Sequence, residues 1–295
     1  MIKDWIEAIR LRTLPLAIAS IGMGGILAYA DGGFKLRVLL LCISTTVTLQ
    51  ILSNLANDYG DSVHGADSVD REGPLRVVQQ GAISKNAMRI AIILTAILSL
   101  ISGIFLLQES ALNTSVFWMF LALGILAIAA AVLYTNGYRP YGYEGFGDIS
   151  VFLFFGILAV GGTYYLQTGK IDPLILLPAT SIGCFTVAVL NVNNIRDIES
   201  DKAAGKYSIP VRLGRARAVI YHGLLLFTGM ISAFVFQWIK GAPLPGYLFL
   251  LTIPLFVQNF IAVKSKLKAS ALDPYLKRLA LSTLAFVVLF GFSVM

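Results

Sequence analysis

Long apolar runs separated by short polar stretches dominate this chain. Nine runs approach the roughly 20 residues that a helix needs to cross a bilayer, at about residues 13–31, 38–57, 88–107, 115–135, 148–167, 173–193, 217–238, 245–263 and 278–295. A membrane barrel would instead show roughly ten-residue segments of alternating polarity, so the runs predict helices. The expected architecture is all-α: a polytopic membrane protein, one transmembrane domain over 1–295, with nine helices around a central cavity. Lys3, Arg10 and Arg12 precede the first run and Ala28-Tyr29-Ala30 resembles a signal-peptidase site. The length of that run favours an uncleaved first span.

Basic residues test this topology. With the N-terminus placed in the cytoplasm, nineteen of the 23 Lys and Arg residues fall on the cytoplasmic side and only Lys35, Arg37, Lys170 and Lys240 fall outside. That is the asymmetry of the positive-inside rule, and one miscounted span would destroy it. Composition agrees: 57% of residues are hydrophobic and 13% charged, against about 25% charged in soluble domains. The net charge of +7 is scattered between apolar runs, which argues against nucleic acid as a partner. Cys42 and Cys184 lie inside apolar runs and read as small buried hydrophobes, not a disulfide framework. His64 and His222 are too far apart in sequence to suggest a metal site by themselves.

Two cytoplasmic connections are long, at about 58–87 and 194–216. They carry two acidic clusters, Asn54 to Arg71 and Asn191 to Lys206. Uncompensated carboxylates at the end of a membrane helix are costly and point to function. Asn57 and Asp61 are four residues apart, as are Asp197 and Asp201, and on a helix that spacing projects both side chains from one face. Four spans separate the clusters, so both return to the same side of the membrane and face each other across the cavity. Opposed oxygen pairs suit Mg²⁺, which takes one or two carboxylates and bridges to phosphates. Arg71, Arg76, Arg196, Lys202 and Lys206 supply cations for phosphate oxygens. A secondary transporter is the competing class, although its sites lie near the midplane between broken helices rather than at helix ends.

These residues resemble a known family. The pattern Asn57-Asp58-x-x-Asp61-x-x-x-Gly65-x-Asp67-x-x-x-Arg71-x-Gly73-Pro74-x-Arg76 resembles the first aspartate-rich motif of the UbiA-type intramembrane aromatic prenyltransferases. The pattern Asn193-Asn194-Ile195-Arg196-Asp197-x-x-x-Asp201-x-x-x-Gly205-Lys206 resembles the second. The opening Arg10-Leu11-Arg12-Thr13-Leu14-Pro15 and the stretch Tyr134 to Pro140, then Tyr143 to Asp148, resemble the branch that prenylates 1,4-dihydroxy-2-naphthoate in menaquinone synthesis. The resemblance implies Mg²⁺ held by Asn57, Asp58, Asp61, Asp197 and Asp201, with Asp61, Asp67, Asp197 and Asp201 as the catalytic set. It implies a polyprenyl diphosphate gripped by Arg71, Arg76 and Lys206, and an allylic cation attacked by the naphthoate ring with loss of carbon dioxide and a proton. The bilayer is the medium, and the inner cell membrane with a cytoplasm-facing site is the implied place. Another acceptor of the same superfamily, 4-hydroxybenzoate or a porphyrin, remains open.

Tyr134 and Asp148 share the cytoplasmic side with the clusters. They either line the acceptor pocket or serve as an interfacial aromatic anchor and a helix N-terminal acid. Gly22-Met23-Gly24-Gly25 and Gly161-Gly162 are expected to let helices approach closely.

Overall fold

The computed structural model describes residues 2–64 and 76–292, and no strand occurs among them. Asp67 and Arg71 lie outside the described residues. Among those described, nine helices are long and apolar enough to cross a membrane, the number that the apolar runs predict. A short amphipathic helix, α1 (Ile2–Ile9), leads into α2 (Leu14–Ala30), α3 (Leu36–His64), α4 (Lys85–Glu109) and α5 (Thr114–Leu133). Next come α6 (Gly147–Thr168) and α7 (Pro173–Arg196). Two short helices, α8 (Ile198–Ala203) and α9 (Ile209–Leu213), precede α10 (Arg215–Ile239). The set is completed by α11 (Leu244–Ser265) and α12 (Ala269–Phe292).

Two boundaries depart from the apolar runs in ways that matter. Helix α3 continues to His64, past the end of its apolar run near Asn57. At 1.5 Å per residue its 29 residues extend about 43 Å, against roughly 30 Å of hydrocarbon. Its last turns therefore present Asn57, Asp58 and Asp61 at the interface as helix, where a loop from 58 onward was expected. The last span begins at Ala269 rather than near 278, because Lys277 and Arg278 interrupt the apolar run. That shift brings Asp273 into its first turns.

Packing is uneven. Phe185 of α7 stacks on Phe256 of α11 at 4.4 Å and meets Phe286 of α12 edge-on at 5.0 Å. Phe249, Phe290 and residues of α2, α6 and α10 extend this core. Helix α5, by contrast, buries no residue completely and packs on α3 and α4. A cavity of about 370 Å³ lies between the dense half and α3–α5. Helix α6 borders it with a wide, π-type winding over Phe152–Gly161. Gly24 behaves as expected, since a Cβ there would lie 2.6 Å from the Val160 carbonyl of α6. Gly161 and Gly162 do not: at Gly161 a Cβ would meet nothing within 4 Å, and at Gly162 nothing nearer than 3.6 Å.

Alternating crossings sort the polar contacts into two ends. At one, Tyr164 donates to Asp31 and the Lys35 amide donates to Gln167 Oε1 at 2.5 Å. At the other stand the ends of α3 and α7 with both acidic clusters, joined by the start of α2 and the start of α12.

Candidate active site

The first cluster is built on the last turns of α3. Asn54 anchors the incoming chain by donating to the Ile9 carbonyl at 2.8 Å and to Thr13 Oγ1 at 3.0 Å. That places Arg10 against Asp58, to which it donates, while Arg76 Nη1 reaches the same Asp58 oxygen at 2.8 Å. Arg76 Nη2 lies 3.5 Å from Asp61 Oδ2, and the Tyr143 hydroxyl donates to Asp61 Oδ1 at 2.9 Å. Asn57 Oδ1 accepts from Thr135 at 3.2 Å. Gly60 makes this proximity possible: a Cβ there would fall 2.5 Å from the Thr135 carbonyl.

The second cluster straddles a helix junction. Helix α7 ends at Arg196, Asp197 is the joint, and Asp201 lies inside α8. The pair is not on one continuous helix, as the spacing had suggested. The Asp201 amide still donates to the Asp197 carbonyl at 2.8 Å, which preserves the one-turn spacing across the joint. Arg196 grips Asp197 through Nε and Nη2, both at 2.7 Å, and reaches Asp273 through Nη1 at 2.7 Å. Asp273 also accepts from Arg12 at 3.1 Å. Helix α8 closes with Gly205 at φ +71°. The Gly205 amide donates to Lys202 and the Lys206 amide to Asp201, a Schellman turn that only a residue at ease in the left-handed region completes cheaply. The turn folds Lys206 back so that Nζ sits 3.2 Å from Asp201 Oδ1.

The segment between α5 and α6 joins the two clusters. Tyr143 holds Asp61 through its hydroxyl, accepts from the Tyr207 amide at 2.8 Å through its carbonyl, and lies with its ring 5.8 Å from the Lys206 ammonium. Burial works against charge on Lys206, but Asp201, Asp61 and Asp197 outweigh it and hold the ammonium above the usual lysine value. Burial pushes Asp201 up to about 6, with Lys206 pulling the other way. Burial also pushes the Tyr134 phenol up, so it stays neutral.

The cavity meets this charged end. Asn57, Asp61, Arg76, Asn193, Asn194 and Lys206 line its mouth, with Tyr134 beside them. On α3 its lining continues through Asn54, Ser53, Gln50, Leu49, Thr46 and Thr45 to Cys42, a single helical face. Nineteen residues separate Asp61 from Cys42, about 28 Å of helix. Deeper walls are apolar: Leu106, Leu107, Leu121, Phe155 and Leu158. Asp148 is not among the lining residues; it is buried and accepts from Tyr221 of α10 at 2.9 Å.

The sequence suggested uncompensated carboxylates, but Asp58, Asp61, Asp197 and Asp201 are each paired with Arg or Lys. Among the described residues no three Asp, Glu, His or Cys side chains are gathered as a cage for a cation. The donor set nevertheless fits Mg²⁺. Its members are hard oxygens, Asp201 Oδ2 and Asn194 Oδ1 are buried without a hydrogen-bond partner, and Mg²⁺ draws much of its shell from phosphate and water. Arg196, grouped by sequence with the phosphate-binding cations, is committed to Asp197, Asn193 and Asp273. Lys202 is exposed.

Sequence reasoning missed Arg10, Tyr143 and Asp273 as parts of the site. Replacing Tyr143 with Phe removes one hydrogen bond to Asp61 and leaves the ring under Lys206. The expected result is a 10–100-fold weaker metal or diphosphate interaction, of the order seen when a ligand loses its outer partner, with unchanged thermal stability. Titrating the metal dependence of diphosphate release checks it, and an unaltered midpoint would contradict it.

Comparison with known proteins places the chain among relatives. The chain is 46% identical to 1,4-dihydroxy-2-naphthoate octaprenyltransferase of Haemophilus influenzae over 98% of its own length and 95% of the relative's. It is also 46% identical to the Escherichia coli K12 protein of that name, over 98% and 94%. A UbiA homologue from Archaeoglobus fulgidus, solved bound to GPP and Mg²⁺, shares the fold with a TM-score of 0.65 at 18% identity, covering 99% of each chain. The UbiA prenyltransferase family model spans residues 17–292, and with that match the chain belongs to the UbiA prenyltransferase family.

Proposed function

We propose that this protein transfers a polyprenyl group from a polyprenyl diphosphate to 1,4-dihydroxy-2-naphthoate in a Mg²⁺-dependent reaction. The observation that carries the reading is the shape of the cavity: a charged mouth at Asn57, Asp61, Arg76 and Lys206 opens onto a channel that runs along α3 between apolar walls from α4, α5 and α6. That is the outline of a diphosphate with a long hydrocarbon tail. The named activity of two relatives at 46% identity over nearly the whole chain supports the acceptor.

In this reading Asn57, Asp61, Asp197 and Asp201 hold Mg²⁺, which supplies charge neutralisation to the departing diphosphate. Asp58 keeps Arg76 and Arg10 at the mouth. Arg76 and Lys206 bind phosphate oxygens, and the proposal extends to Arg71 and Asp67 from the first motif. As the C–O bond breaks, its electron pair leaves with the diphosphate, and the apolar walls shield the allylic cation from water. A ring carbon of the acceptor forms the new C–C bond. Carbon dioxide leaves with its bonding electrons kept by the ring, and the proton displaced from the prenylated carbon returns to the vacated one. Tyr134, neutral and beside the mouth, offers the acceptor a hydroxyl; Asp148 and Tyr221 stand behind it. The site faces the cytoplasm from a bacterial inner membrane, the side to which the basic residues point.

Purified protein given Mg²⁺, donor and dihydroxynaphthoate is expected to release diphosphate and carbon dioxide in equal amounts. Diphosphate release without carbon dioxide, or with 4-hydroxybenzoate but not the naphthoate, would overturn the acceptor assignment.

A further inference from the structure

Glycine inside a helix is less favourable than alanine, and membrane helices ordinarily recover that loss through close backbone approach. Three cavity-lining glycines recover nothing of the kind. A Cβ on Gly124 of α5 would meet no atom within 4 Å; on Gly103 of α4 the nearest is Thr45 at 3.8 Å, and on Gly162 of α6 it is Phe120 at 3.6 Å. Each lines the cavity from a different helix; the Gly124 position is open space, and at Gly103 and Gly162 a Cβ would touch side chains only, at ordinary van der Waals distance. The cavity also has an unspent polar group at its mouth: Asn194, 3% exposed, lines it with an Oδ1 that has no hydrogen-bond partner.

Helix rise gives the depths. Gly124 is ten residues below Tyr134, about 15 Å from the mouth. Gly162 stands level with Phe120, about 21 Å down α5, and Gly103 level with Thr45, about 24 Å down α3 from Asp61. An extended chain advances roughly 1.2 Å per backbone bond. By that measure the eight-carbon backbone of a geranyl group reaches about 10 Å and stops short of Gly124, while the sixteen-carbon backbone of a geranylgeranyl group reaches about 19 Å and passes it.

We propose that Gly103, Gly124 and Gly162 keep the channel open for the prenyl tail and set which donor lengths the protein accepts. The inference rests on the prenyl-transfer reading and extends it to specificity. Gly124→Leu would fill the channel below the reach of a short tail and across the path of a longer one.

The test compares kcat/KM for geranyl and geranylgeranyl diphosphate, with dihydroxynaphthoate as acceptor, in the full-length wild type, Gly124→Leu and Gly161→Leu. Gly161 neighbours a cavity glycine, does not line the cavity, and has open space at its Cβ position. Gly124→Leu is expected to raise the geranyl-to-geranylgeranyl ratio at least about tenfold, the scale on which a pocket discriminates alkyl length; Gly161→Leu should leave the ratio at the wild-type value. A ratio within about twofold of wild type in Gly124→Leu, or an equal shift in Gly161→Leu, overturns the proposal. Should Gly124→Leu fail to accumulate, Gly124→Val must shift the ratio in the same direction, and no shift there is equally fatal. A wild type that transfers neither of these donors nor octaprenyl diphosphate removes the prenyl-transfer reading itself, and is distinguishable because the variants play no part in it.

Discussion

Asp61→Asn and Asp197→Asn each lower diphosphate release by about 10²–10³-fold, the scale of losing one preorganised electrostatic contact at a reacting group. Membrane-inserted protein accumulates normally in both. The asymmetry follows from what Asn keeps and what it loses. At 61 it fits the same space and still accepts from the Tyr143 hydroxyl, and Arg76 keeps Asp58 as a partner. It loses the negative charge that faces Lys206 and that an Mg²⁺ ligand must supply. Pyrophosphate release by purified protein is the measurement. A variant retaining more than about a tenth of wild-type activity would remove that carboxylate from the chemistry.

Arg196→Met produces the largest loss of stability. Arg196 is 4% exposed and Asp197 3%, and the guanidinium holds Asp197 through two nitrogens and Asp273 through the third. Removing the guanidinium breaks a buried ion pair from one side, which costs about 3–5 kcal/mol and lowers Tm by roughly 10 °C. Arg196→Met/Asp197→Leu should recover most of the Tm, because a well-packed apolar pair often replaces a buried ion pair without loss. The double variant stays inactive, since Asp197 is gone. Thermal unfolding followed by tryptophan fluorescence reads both, and a single variant as stable as wild type would show that Arg196 does not carry this junction.

The spans were legible because lipid imposes one rule, a long apolar run, that composition alone reveals. The ends were less so. The apolar run of α3 stops near Asn57, but its backbone stays helical to His64, whose ring lies between the Gly60 and Gly137 carbonyls, 3.0 Å from each. Hydropathy cannot see such contacts. The four-residue spacing of Asn57 and Asp61 did identify a single helical face. The same spacing at Asp197 and Asp201 concealed a joint between α7 and α8, because a junction can conserve one turn. The partners of the acids were hidden for a simpler reason. Arg10 meets Asp58 across 48 residues and Tyr143 meets Asp61 across 82, so neither pairing leaves a local pattern. Arg10 read as one more positive-inside charge, and Asp273 disappeared among the lysines around it. Gly161-Gly162 looked like a helix-packing site, yet Gly162 lines the cavity and no backbone of another helix comes within 4 Å of its Cβ position; the sequence does not distinguish a glycine that admits a neighbouring helix from one that admits a ligand.

Everything turns on one cation-bound diphosphate being shared by the ends of α3 and α7. Anomalous scattering from Mn²⁺ in crystals grown with a non-cleavable thiolo-diphosphate analogue of the donor locates both at once. The account predicts Mn²⁺ within coordinating distance, somewhat over about 2 Å, of oxygens from Asp61 and from Asp197 or Asp201, with the diphosphate against Arg76 and Lys206 and its tail directed toward Cys42. Mn²⁺ bound to only one cluster, or a diphosphate seated at the Asp31 end of the bundle, would contradict it.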